Sequence, residues 1–299
     1  MTDSPACISI LQLSDLHILA EPQDKMLGIN TEHYFQACLE QAVRLRSRQP
    51  VRPGSRQVVR QSSRQVVRQS SRQAFDEQQH FDLILLTGDL AQDPCPASYR
   101  RILGSLEAYE TPCVCLPGNH DDYELMQQVF NTDRINCRKQ VLLDNWQVIS
   151  LNSQIPGKPG GRLSNEELGF LENCLTGKPD HHALIAVHHH CLETNSPWMD
   201  TMIIENRQAL LAIAGKYPQV KAITTGHIHQ VMDIKTASFR VFGVPSTCFQ
   251  FVPGSTEFGV NDTAPGYRLI ELYADGRVES EVVRLPEPLA ELQINTHGY

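Results

Sequence analysis

Seven side chains suited to holding metal ions fall in five short stretches, each just after a run of apolar residues. They are Asp15 and His17 in Asp-Leu-His, Asp89 after Gly88, Asn119 in Gly-Asn-His-Asp, one of the histidines at 188–190, and His227 and His229 in Gly-His-Ile-His. A mixture of carboxylate, imidazole and carboxamide with no thiolate is borderline-hard. It favours iron, manganese or zinc acting on oxygen chemistry over a cysteine-bound structural zinc. Spread over more than two hundred positions, these residues make sense only if the fold gathers them into one site. A lone histidine of this kind is usually a hydrogen-bonded loop residue, but five groups in equivalent sequence positions shift the balance to a shared centre.

The elements that would gather them are short. Apolar runs predict strands over 7–13, 82–87, 113–116, 146–152, 183–187 and 220–224, and the stretches between them predict helices over 31–46, 97–109, 122–131, 164–175 and 206–217. Strand followed by helix, repeated, indicates an α/β fold, and such folds collect ligands at the carboxyl ends of their strands. Each polar group stands at such an end. Asp15 and His17 leave the first strand two residues apart, and the strand period of two would send both to one side. Gly88, Gly118 and Gly226 stand immediately before polar residues and allow a tight backbone path there. After Gly226 the pattern changes: 233–243 and 267–285 read as meander strands, with Asp275-Gly276 as a hairpin turn, so an antiparallel portion should close the sheets.

With 299 residues and 41% hydrophobic content the chain can bury a large core, and it reads as a single domain over 1–299. No stretch approaches the roughly eighteen apolar residues of a membrane span, and the acidic start running straight into a strand reads as neither signal peptide nor anchor. Nine dispersed cysteines without a Cys-x-x-Cys point to a reducing, cytoplasmic setting, with Cys113 and Cys115 packed in the core. The net charge of −8 conceals an asymmetry. Nine of the 26 basic residues lie between Arg44 and Arg72, where there is no acid, so the remainder carries 17 basic against 34 acidic residues. Such a body repels nucleic acid, and an anionic substrate would need local positive charge, which metal ions supply. Within the basic stretch, Ser55–Ser62 and Ser63–Ser70 are identical copies of Ser-Arg-Gln-Val-Val-Arg-Gln-Ser, and 71–73 begins a third. Valine pairs eight residues apart keep to neither a helical nor a strand face, so 49–75 reads as a flexible insertion; the alternative is an arginine-rich arm for anionic partners.

Taken in order, Asp-x-His, Gly-Asp, Gly-Asn-His-Asp, a histidine cluster after a strand and Gly-His-x-His resemble the calcineurin-like metallophosphoesterases over 8–283. The strings GDLAQD, LPGNHD, VHHH followed by Trp198-Met-Asp, GHIHQ, PSTCFQF and APGYRLIELYADG are similar to the bacterial class III cyclic-nucleotide phosphodiesterases within that family. The resemblance implies a four-layer α/β/β/α sandwich with two divalent metal ions at strand carboxyl ends, iron or manganese first and zinc as the alternative. It implies Asp15, His17 and His229 around the first ion, Asn119, His189 and His227 around the second, and Asp89 bridging them. The family usually carries a proline two residues after its ligand histidine. Cys191 occupies that place here, which selects His189 and leaves His188 as the alternative register, with the other two histidines supporting the site from behind. The repeat has no counterpart in the family pattern.

The chemistry implied is hydrolysis of 3′,5′-cyclic AMP to 5′-AMP by a hydroxide shared between the ions, which also neutralise charge on the phosphoryl oxygens. His17, Asp89, Asn119, His120 and His229 would face the phosphate. His120 would protonate or stabilise the leaving ribose oxygen, and Asp121 would either orient the His120 ring or cap the helix that follows. The GDxVDRG and GNHE strings of Ser/Thr phosphatases are replaced by GDLAQD and GNHD, and the acidic body argues against an exonuclease. Alternative readings are a broad-specificity phosphodiesterase or phosphomonoesterase, and an inactive scaffold of the same fold. Neither membrane nor nucleic acid is an expected partner. Metal identity, nucleotide preference and oligomeric state stay open at this stage.

Overall fold

The computed structural model describes residues 7–47 and 80–295; the expected insertion at 49–75 lies outside the described residues. The first part of the chain forms β1 (Cys7–Leu13), α1 (Thr31–Ser47), β2 (Leu83–Thr87), α2 (Pro96–Glu107), β3 (Cys113–Leu116), α3 (Tyr123–Val129) and β4 (Ile135–Asn136). It continues through β5 (Gln140–Leu143), β6 (Trp146–Leu151), β7 (Gln154–Ile155), β8 (Lys158–Gly161), α4 (Asn165–Gly177), β9 (His182–Val187), α5 (Pro197–Asp200), α6 (Arg207–Lys216) and β10 (Val220–Thr225). The final strands are β11 (Met232–Lys235), β12 (Arg240–Gly243), β13 (Gln250–Phe251), β14 (Val260–Asn261), β15 (Gly266–Tyr273) and β16 (Val278–Arg284).

Two six-stranded mixed sheets result, ordered β16-β15-β1-β2-β3-β4 and β11-β12-β10-β9-β6-β5. Alternation along each strand explains how they pack. Ile8 and Ile10 of β1, Leu83 and Leu85 of β2, Trp146 and Val148 of β6, and Leu184 and Ala186 of β9 share one buried cluster, which therefore lies between the sheets. The intervening residues point the other way. Leu11, Leu13, Ile84 and Leu86 pack with Phe35 and Leu39 of α1 and Tyr99 and Ile102 of α2, while Ile149, Ile185 and Val187 pack with Leu171 of α4 and Leu210 of α6. Helices thus cover both outer faces, giving the four-layer α/β/β/α sandwich the sequence implied. Strands buried on both faces read as continuous apolar runs, which is why β1, β2, β3, β9 and β10 were legible.

Parallel pairing of β1 with β2, β2 with β3, β6 with β9 and β9 with β10 makes the carboxyl ends within each sheet point the same way. The antiparallel closure expected after Gly226 is β11 against β12 and β15 against β16. Helix starts follow side-chain caps: Asp122 Oδ1 accepts from Leu125 N at the head of α3, and Ser164 Oγ accepts from Glu167 N at the head of α4. The residue capping α3 is Asp122, so Asp121 does not have the cap role considered for it. No helix among the described residues is long and apolar enough to cross a membrane.

Candidate metal centre

Every predicted group sits where a strand ends. Asp15 and His17 follow β1, Asp89 follows β2, Asn119 and His120 follow β3, His188–His190 follow β9, and His227 and His229 follow β10. The aim of Asp15 and His17 is set differently from the sequence expectation, which used strand alternation. Both lie beyond β1 in left-handed backbone, with φ of 54° and 47°. Asp89, His227 and His229 share this conformation at φ of 50°, 65° and 45°. Left-handed non-glycine residues cost free energy and cluster at functional sites, so five of them among these candidates is a signal independent of side-chain chemistry. The backbone is tied down locally: Asp15 N donates to Gly88 O at 2.9 Å, His17 N to Asp89 O at 2.9 Å and Gly226 N to His188 O at 3.0 Å.

The glycines before the polar residues serve two purposes. Gly88 has φ of 92° and meets the expected need for conformational freedom, whereas Gly118 serves close approach. A Cβ on Gly118 would collide with Asp89 Oδ1 and lie 2.7 Å from His188 Cε1.

The imidazoles are oriented from behind. His188 Nδ1 lies 2.8 Å from Thr87 O and His229 Nδ1 lies 2.9 Å from Phe249 O; a carbonyl can only accept, so each Nδ1 carries the proton. His17 Nδ1 meets Gln92 Oε1 at 2.8 Å in the same manner. The Nε2 atoms turn inward. His17 Nε2 stands 3.2 Å from His229 Nε2 and 3.9 Å from Asp89 Oδ2. His188 Nε2 stands 3.3 Å from Asp89 Oδ2 and 3.2 Å from Asn119 Oδ1, and His229 Nε2 stands 3.5 Å from Asp15 Oδ1. Among the described residues the buried Nε2 of His227 has no hydrogen-bond partner. Lone pairs, carboxylate oxygens and an orphaned buried nitrogen converging in this way fit divalent cations, with the Nδ1 contacts fixing the tautomers as ligand histidines require.

Electrostatics points the same way. Burial, opposed by Asp89, lowers His17 to about 3, and burial together with neighbouring imidazoles holds His189 and His227 well below the usual histidine range. Burial also opposes charging of His188, but the Asp89 carboxylate outweighs it and raises that ring to about 9. Asp89 is held well below the carboxylate range against the effect of burial, chiefly by His188 and then by His120.

His189, Asp121 and His120 stand around this convergence, and ring nitrogens of His188, His189 and His227 lie within 4.8 Å of one another. His189 lies with Nδ1 2.7 Å from Ser153 Oγ and Nε2 3.2 Å from Pro159 O, although its ring also neighbours His227 at 4.6 Å. Asp121 takes hydrogen bonds from the amides of Leu90, Ala91 and Gly118 and from the Tyr99 hydroxyl at 2.9–3.1 Å. It therefore locks together the loops that carry Asp89 and Asn119. Burial, then the nearby Asp89, raise its carboxyl to about 6. His120 donates its backbone N–H to Asp89 Oδ1 at 3.0 Å and sets its ring edge-to-face with His17 at 5.0 Å, at the border of the cluster.

A cavity of about 400 Å³ opens over the centre, bordered by Asn119, His120 and His227 on one side and by Trp198, Phe251 and Phe258 on another. The sequence reading missed Gln92, which braces His17, and the aromatic border. Gln92 sits in the GDLAQD string, Trp198 in Trp-Met-Asp and Phe251 in PSTCFQF, whereas Phe258 lies outside every quoted string, and no periodicity announced their aim.

The chain matches the family described as calcineurin-like phosphoesterase over residues 8–231. It is 35% identical over 295 residues to the 3′,5′-cyclic adenosine monophosphate phosphodiesterase CpdA of Escherichia coli K12, covering 98% of this chain and 96% of that protein. It is 34% identical to a 3′,5′-cyclic-nucleotide phosphodiesterase of Nostoc, covering 94% of each chain. Among solved structures, a dimetal phosphatase from Danio rerio superposes with a TM-score of 0.57 at 12% identity, covering 94% of this chain and 99% of that one, a likeness of fold.

Proposed function

The chain belongs to the calcineurin-like phosphoesterase family, and on that premise we propose that it hydrolyses 3′,5′-cyclic AMP to 5′-AMP with two divalent metal ions. The observation that carries this is the convergence of buried donors from four strand ends on both sheets, joined by the half-buried Asn119 from a fifth, beside a cavity lined by polar and aromatic groups. Asp15, His17 and His229 would hold one ion, Asn119, His188 and His227 the other, and Asp89 would lie between them. His188 replaces His189 in this assignment because its Nε2 faces Asp89 and Asn119, whereas both ring nitrogens of His189 already have oxygen neighbours. Imidazole, carboxylate and carboxamide suit iron or manganese, with zinc as the alternative. When bound, the ions lower the pKa of water and neutralise charge growing on the phosphoryl oxygens.

The chain's own residues do the rest. Water adds OH to phosphorus, the bond from phosphorus to O3′ breaks, and O3′ must gain a proton. His120, at the rim and with its backbone N–H donating to Asp89 Oδ1, would deliver it. Asp121 acts as the anchor of the two loops, and single-domain organisation over 1–299 with an insertion at 49–75 completes the reading. The cysteines at 38, 95, 113, 115, 137, 174, 191 and 248 are free thiols, which suits a reducing, cytoplasmic setting.

The test is metal analysis and cyclic AMP turnover of the wild type and Asp89→Ala. The wild type should carry close to two ions and release 5′-AMP. The variant should lose metal and fall by at least about 10³-fold in turnover, since both ions lose a ligand. Full metal content and activity in the variant would sink the two-ion reading.

A further inference from the structure

We propose that Trp198, Phe251 and Phe258 form a stacking subsite for the base of a cyclic nucleotide whose phosphate lies at the histidine–aspartate cluster, an inference that rests on the phosphodiester reading above. The cavity is chemically two-sided. Asn119, His120 and His227 offer polar groups on one side, and the aromatic rings with Met199 and Met202 line the other. A ligand that fills both must carry an anion at one end and a flat apolar surface at the other. At about 400 Å³ the cavity lies within the range of small-molecule sites.

The aromatic wall is joined to the cluster directly. Phe251 stacks on His229 with ring centres 4.1 Å apart and planes 21° apart. Trp198 meets Phe251 at 5.1 Å and Phe258 at 5.6 Å, both edge-to-face. Phe251 is buried, whereas Trp198 and Phe258 are half-buried where they border the cavity. Rings serving only the core would sink fully into it, while half-covered rings at the lip of a cavity offer a face to a ligand. Stacking on such faces accepts any base; the donors that the lining adds to the rings are the Trp198 indole N–H, unpartnered among the described residues, and Lys158. The wall therefore selects nucleotides over base-free phosphodiesters.

Fluorescence isolates the proposed contact. The chain has two tryptophans, and Trp146 is fully buried with its indole N–H donating to Tyr273 O at 2.9 Å. Quenching by a small ligand at the cavity therefore reports Trp198. The metal-loaded protein is titrated with 5′-AMP and, separately, ribose 5-phosphate, and cyclic AMP kinetics are measured for the wild type, Trp198→Ala, Trp198→Phe and Phe258→Ala. Expected is saturable quenching by 5′-AMP and not by ribose 5-phosphate. KM should rise about 5- to 100-fold in the alanine variants with kcat nearly kept, and Trp198→Phe should recover most of the loss. Equal quenching by both ligands, an unchanged KM in both alanine variants, or a loss confined to kcat would overturn the subsite. A wild type that leaves cyclic AMP intact would instead remove the phosphodiester reading, and absence of quenching by 5′-AMP would then remove the subsite as well.

Discussion

His188, His189 and His190 follow one another, yet they occupy three environments. The Nδ1 of His188 is spent on Thr87 O and its Nε2 points to Asp89 and Asn119. His189 is held between Ser153 and Pro159, and His190 lies with Nε2 3.3 Å from Asp200 Oδ1. Loss of the His188 ring should therefore strip metal and reduce turnover by at least about 10³-fold, whereas His189→Ala should keep its metal and lose about tenfold or less, because it removes support and not a ligand. Metal content and kcat of the two variants decide the matter, and the opposite ranking would return the ligand role to His189. Three identical side chains in a row carry no signal that separates them. The choice depends on where β9 stops relative to β2 and β10, a property of long-range pairing. Cys191 in the proline position gave the sequence reading its preference for His189, but local spacing did not register that Thr87 O and Asp89 stand on the side to which His188 turns.

Strands and their ends were the most legible part of the chain. β1 and β3 run over the residues expected of them, and the five polar groups stand at carboxyl ends as read. What lay hidden was carried by short or irregular pieces: β7, β8, β13 and β14 are two to four residues long, too short for periodicity to show, and two of them help frame the cavity. The loop after β3 shows how little room the elements leave. Any side chain at Gly118 would press on Asp89 Oδ1 and on the Asp89 amide, so Gly118→Ala should displace the carboxylate without unfolding either sheet. A 10- to 100-fold fall in metal affinity is expected with an unchanged circular dichroism spectrum. Wild-type affinity in a metal titration would show that the loop yields to the added methyl group.

The site belongs to the whole molecule because its donors come from both sheets, and burying so many imidazoles there gives the protein a pH dependence. His17, held to about 3, His190, held to about 4, and His189 and His227, both held well below the usual histidine range, refuse protons that the unfolded chain accepts near 6.5. Their effect is nil above pH 6.5, and stability falls as pH drops through that value toward the folded pKa. His188, raised to about 9, acts oppositely: its contribution is full below 6.5 and fades as pH rises to 9. Four rings against one make the metal-stripped protein less stable at pH 5.5 than at pH 7.5, by up to about 1.4 kcal/mol per pH unit for each ring. Denaturant midpoints at the two values measure this, and equal midpoints would mean the imidazoles take up protons within the folded state. The order of β-strands has a further consequence, in time. β1 lies inside its sheet between β2 and β15, so it waits for a partner made at the far end of the chain. At roughly 5–20 residues per second, the ribosome takes on the order of 10–50 s between delivering Asp15 and delivering β15. Until then the nascent chain holds an apolar strand with an edge open, although the last donor, His229, has already been delivered, so a full set of donors precedes the sheet that must hold them and the chain must be kept from aggregating for that interval.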